Sequence, residues 1–184
     1  IRRSNVNLIA QSTGRYDLAV RRTETSPDPF VKVDETRQRM LAADERITAV
    51  YPRFFSEVEL TAGSEQSTGV LLALDPAEGI GQVDVISGSY ALGGLQAAVL
   101  QATAFDLGNV RVGDPIEVAY SFPQPREKGS IAPAGGSRRR VVGRFTVGAI
   151  VRQTGLANAG ADSGVIVHID DAQAFLDLPD RAEE

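Results

Sequence analysis

The apolar residues of this chain come in short runs, and the longest is Val70-Leu71-Leu72-Ala73-Leu74. No stretch approaches the roughly 18 apolar residues of a membrane-crossing helix. Short apolar runs stopped by turn residues are instead the pattern of strands buried in a core. At 184 residues and 42% apolar, the chain suits one domain or two small intertwined subdomains, with enough apolar surface for a real core. It starts at Ile1-Arg2-Arg3 with neither a methionine nor a leader, so we expect a segment of a longer protein.

Several elements can be read directly. Tyr16, Leu18 and Val20 alternate as one face of a strand after Gly14-Arg15, and Ser26-Pro27-Asp28-Pro29 is a loop. From Asp34, a candidate N-cap, to about Ala43 the pattern is helical, with a thin apolar face of Val33, Met40 and Leu41. That predicts a solvated helix lying over a sheet. Ile47 to Tyr51 reads as a strand ended by Pro52, Glu57 to Leu60 as a half-exposed strand, and Gly69 to Leu74 as a buried one. Leu95, Ala98, Val99, Ala102 and Phe105 recur at helical spacing, with Gly108 as C-cap. Two short alternations surround the turn Gly113-Asp114-Pro115, and from Pro123 to Arg140 the composition is that of a mobile loop. Val141 to Ile150 is a strand, Gly155 to Ser163 a loop, and Gly164 to Ile169 a strand leading into a helix capped by Asp170. Strands and helices alternate irregularly, which gives an α+β fold rather than a doubly wound sheet.

Residues able to carry chemistry are scarce. With no cysteine, neither a disulfide nor a thiolate metal site is possible, and the sole histidine is His168, inside a strand. Gly108 to Gly113 has P-loop spacing, but Asp114 and Pro115 stand where Lys and Ser/Thr are required. Ser137 follows Gly135 as in a nucleophile elbow, but Arg139 replaces the second glycine. Asp170-Asp171 reads as a helix start, and Glu57 and Glu59 as one solvated strand face. We therefore expect no catalytic, cofactor or metal residues. A net charge of −5 opposes broad nucleic-acid binding and, weakly, attachment to anionic lipid. Arg138, Arg139 and Arg140 have two readings: a contact for a lipid head group or acidic partner, or a solvated basic edge that deters strand pairing.

Several segments, in order, resemble the extracytoplasmic core domain of MacB-like and lipoprotein-releasing ABC permeases. They are Gly14 to Val20; Ile47-Thr48-Ala49-Val50-Tyr51-Pro52-Arg53; Gly69 to Pro76; and Val110-Arg111-Val112-Gly113-Asp114-Pro115-Ile116-Glu117-Val118 after the helix end at Leu107-Gly108. Phe145 to Ile150 and Ile166 to Leu176, with its Asp171-Ala172-Gln173, are similar to the closing strands and helix. The stretches Gly79 to Gly94 and Pro123 to Arg140 depart from the pattern.

The resemblance implies a mixed α/β subdomain next to the membrane, residues 1–76 and 143–184, with a smaller β-rich subdomain, 77–142, inserted in it. It also implies a non-enzymatic part of a dimeric permease at the cell membrane, on the periplasmic or exterior side. There it would couple cytoplasmic ATP hydrolysis to export or to release of lipoprotein or lipid. Implied partners are a second permease subunit, an ABC ATPase subunit, and an extracytoplasmic adaptor or cargo. The alternatives are a free-standing extracellular binding domain and an enzyme with an unrecognised motif.

Overall fold

The alternation at Glu57–Leu60 is the middle of a longer strand, β2 (Phe54–Ala62), with Phe54, Val58 and Leu60 buried and Glu57 and Glu59 in water. After the turn at Gly63-Ser64 the chain returns as β3 (Glu65–Leu74), antiparallel to β2 along its whole length. Asp75-Pro76 ends it, because proline cannot donate to the ladder. This computed structural model describes residues 20–22, 28–76, 83–123, 138–152 and 163–184. The other strands are β1 (Val31–Lys32), β4 (Asp84–Gly88), β5 (Gln96–Leu100), β6 (Pro115–Pro123), β7 (Arg138–Arg152), β8 (Gly164–His168) and β9 (Arg181–Ala182). The helices are α1 (Val33–Ala43), α2 (Gln101–Asp106) and α3 (Ile169–Leu176). The fold is α+β, as expected.

Seven strands form one mixed sheet in the order β4-β7-β5-β8-β3-β2-β6, and β6 also pairs with β7. The last pairing closes β7, β5, β8, β3, β2 and β6 into a ring. Closure is possible because β7 is 15 residues long: residues 138–146 pair with β6 and 146–151 with β5. Leu60, Leu71, Val99, Val118, Val147 and Val167, one from each strand of the ring, are all 0% exposed and belong to one apolar cluster. Sheet closure also removes edges that would pair with other chains. The register of β7 slips between its pairs with Ala97 and Ala98, leaving Gly148 as a bulge. One extra residue inverts which side chains face inward. Val147 therefore lies in the interior cluster, whereas Ala149 and Val151 join Leu72, Leu74, Ala98, Leu100 and Ile166 in a second cluster on the other face. Since β3, β5 and β8 supply both clusters, they are apolar on both faces, and their sequences run apolar without alternation. The expected insert, 77–142, contributes α2 together with β4, β5, β6 and the start of β7, and these strands are all paired within this one sheet.

Five local expectations are corrected. Residues 96–100 of the expected Leu95–Phe105 helix are β5, lying between β7 and β8, and only Gln101–Asp106 is helical. A short apolar run flanked by two strands gains more from ladder hydrogen bonds and two-sided burial than from helix propensity. Gly108, with φ +77°, does close that helix in the left-handed conformation. Ile47–Tyr51 is irregular and largely exposed, and among the described residues no strand pairs with it. Helix α1 starts one residue before Asp34, after Lys32, has no buried residue and does not cover the sheet. Helix α3 is capped by His168, whose Nδ1 accepts from the Asp170 N–H at 3.2 Å, rather than by Asp170. Arg138–Arg140 are the first residues of β7, opposite Pro123–Ser121, not part of a loop. Expectations for residues 14–19, half of the 26–29 loop, residues 124–137 and most of the 155–163 loop lie outside the described residues.

Candidate interaction surfaces

The arginines at the start of β7 are exposed but engaged. Arg140 Nη2 is 2.9 Å from Glu59 Oε2 on β2, and Arg139 Nη2 is 3.4 Å from Asp177 Oδ2 just past α3. Arg138 donates to the Ser121 carbonyl, and farther along Arg144 Nε meets Glu117 Oε1 at 2.9 Å. Opposed charges explain the pattern: Arg144 on β7 faces Glu117 on the neighbouring strand β6, and Arg140 reaches across β6 to Glu59 on β2. Exposed pairs like these are worth at most about 1 kcal/mol each, so a stronger anion could still displace the carboxylates.

A polar group that the sequence did not signal lies where the C-terminal segment meets the ring. The Glu183 carboxylate accepts from Phe55 N at 2.6 Å, from Tyr120 Oη at 2.6 Å and from the Ser56 hydroxyl. Ser56 and Tyr120 touch each other at 2.9 Å. On either side, Glu183 N and Glu184 N donate to the Arg53 carbonyl, and Arg53 N donates to the Glu184 carbonyl at 2.8 Å. Farther out β9 pairs with β1, and Arg21 Nε reaches Glu184 Oε2 at 2.7 Å. The first and last described residues thus meet. Ile1, expected to lie near Glu184, is outside the described residues.

Burial, and then the charge and hydrogen bond of Glu183, push the Tyr120 phenol well above the usual tyrosine range. Above pH of about 10 the unfolded chain releases this proton while the folded chain still holds it, so stability is lost as pH rises. Between pH of about 9 and 11, the urea midpoint of the parent protein should therefore fall more steeply than that of Tyr120→Phe. Parallel slopes would show that the phenol is not held protonated by the fold.

The third feature is a groove of about 630 Å³ between α1, the segment 49–52 and α3. Val33, Leu41, Val50, Tyr51 and Ile169 give it apolar lining, and Asp34, Asp75, Asp170 and Asp180 give it carboxylates. Among its described residues the basic one is Arg37, which lies 3.5 Å from Asp34 Oδ1 and donates to the Val50 carbonyl at 3.4 Å. His168 stands beside it, 3.8 Å from Asp75 and 3.6 Å from Asp170, already used as the cap of α3. No grouping of three His, Asp or Glu able to hold a metal occurs among the described residues.

No protein-family model matches the chain, and no curated protein matches it. Among solved structures it is similar to the extracellular domain of the noncanonic ABC-type transporter YknZ from Gram-positive bacteria. The TM-score is 0.52 at 11% identity, covering 80% of this chain and 67% of that one. A domain of a permease protein from Porphyromonas gingivalis aligns with a TM-score of 0.45 at 14% identity, over 70% of this chain and 49% of that one. What this chain shares with the YknZ domain is the fold: that of the extracellular domain of an ABC-type transporter.

Proposed function

We propose that this chain is the non-catalytic, extracytoplasmic domain of an ABC transporter permease. The observation that carries the reading is the fold shared with the YknZ extracellular domain over 80% of the chain. The meeting of Arg21 with Glu184 supports it, because a domain inserted between two membrane helices needs its entry and exit at one pole. In this reading the flanking segments 1–76 and 143–184 lie nearest the bilayer and 77–142 is the inserted stretch. The domain belongs to a MacB-like permease that works as a dimer with a separate ATPase subunit. It passes movement driven by ATP hydrolysis to an extracytoplasmic adaptor or cargo, in export or in lipoprotein or lipid release. The bonding of residues 183–184 to Arg53 and β2 suits that work, since a pull on the exit strand would move the ring as a rigid body. The arginines of β7, with exposed partners, are the contact for an anionic group of the adaptor, cargo or lipid.

The chain has no cysteine, so a single introduced thiol is unique within it. Phe105 is 71% exposed on α2, and Phe105→Cys should leave the core intact. In cells making the full-length protein, a membrane-impermeant maleimide should label this cysteine before lysis. Labelling only after the cytoplasm is opened would refute the proposed location.

A further inference from the structure

The described residues do not fill the groove between α1 and α3, and its chemistry is uneven. We infer that it binds a basic, amphipathic protein segment, with arginine or lysine side chains on the carboxylates and apolar side chains on the lining between them. Helix α1 has 11 residues and buries none of them, while Leu41 and Tyr51 stand 43% and 40% exposed at the groove. Apolar side chains gathered in a concavity and left wet are the usual mark of a surface that a partner covers.

Charge decides what kind of partner. Among the described lining residues, four carboxylates stand against one guanidinium, a formal charge of −3. The guanidinium is already beside Asp34 and the Val50 carbonyl, so no cation in the lining is open to an anion. The Asp34 and Asp170 side chains are 71% and 80% exposed and can meet an incoming cation without being freed from burial. Asp170 lies in the first turn of α3, where the helix dipole favours a carboxylate. An anionic membrane surface is repelled by such a lining. A small cation would leave the apolar residues wet, whereas a segment alternating cationic and apolar side chains satisfies both halves of the groove.

The test uses this chain and a short fluorescein-labelled peptide in which arginine and leucine alternate. Beside it stand one peptide with glutamate for arginine and one with serine for leucine. Fluorescence anisotropy should show salt-sensitive binding of the first peptide and at least about tenfold weaker binding of the other two. Asp34→Asn combined with Asp170→Asn should weaken binding about tenfold while the circular-dichroism melt stays near the parent's, because both carboxylates are exposed and exposed ion pairs stabilise little. If the double variant loses its fold, Leu41→Ser takes its place, with weakened binding again expected. Equal binding of the serine peptide, an unchanged affinity in the folded variants, or preference for phosphatidylglycerol vesicles over the peptide would each overturn the inference. Because binding is read on this chain alone, its failure would leave the transporter reading untouched.

Discussion

Gly164→Ala should destabilise the chain by roughly 3–5 kcal/mol, enough to unfold a large share of a domain of ordinary stability. Gly164 begins β8, opposite Val70 on β3, with φ at +156°. A methyl group there would stand 2.2 Å from the Val70 carbonyl oxygen and 2.9 Å from its nitrogen. Those are backbone atoms fixed in the ladder, so no side-chain rotation relieves the clash. The Gly164 N–H also donates to Thr103 Oγ1 at 2.6 Å, and Thr103 is fully buried in α2. Shifting β8 to make room would break this bond, with a further cost of about 1 kcal/mol or more for the unsatisfied group. Urea unfolding followed by circular dichroism measures the loss. A change below about 1 kcal/mol would mean that β3 and β8 do not approach as closely as described.

Glu183→Ala ranks second, with an expected loss of about 3 kcal/mol. The carboxylate accepts three hydrogen bonds, and bonds to a charged acceptor contribute about 1.5–3 kcal/mol each without adding fully. Removing it leaves the Ser56 and Tyr120 hydroxyls and the Phe55 N–H without their acceptor in a partly buried place. Glu183→Gln keeps an acceptor of similar shape and should lose clearly less. Tyr120→Phe in the Glu183→Ala background should then have a smaller effect than in the parent, since its partner is already gone. Hydrogen exchange gives a separate readout: amides of β9 and residues 183–184 should exchange faster in Glu183→Ala than in the parent. Unchanged protection there would show that the carboxylate does not hold the C-terminal segment.

The sequence by itself determined which segments are strands wherever side-chain pattern and burial agree. Phe54–Ala62 alternates because one face is dry and the other wet, and Gly69–Leu74 and Gly164–His168 run apolar because both faces are covered. It also placed the turn before Pro115 and the glycine that ends α2. These are local rules, written in two or three neighbouring residues. Only the tertiary structure decided the rest. Gln96–Leu100 carries a pattern that fits either a helix or a buried strand, and its neighbours β7 and β8 settled it. Ile47–Tyr51 has the composition of a strand but pairs with no strand among the described residues. Arg139 and Arg140, read as a loop edge, acquired carboxylate partners only when Asp177 and Glu59 were brought close to them. The Ser56–Tyr120–Glu183 cluster joins residues more than 60 positions apart, and the groove joins α1 to α3 across most of the chain. No spacing along the sequence encodes such meetings: they follow from the pairing of β2 with β6 and from the bonding of the C-terminal segment to Arg53 and Phe55.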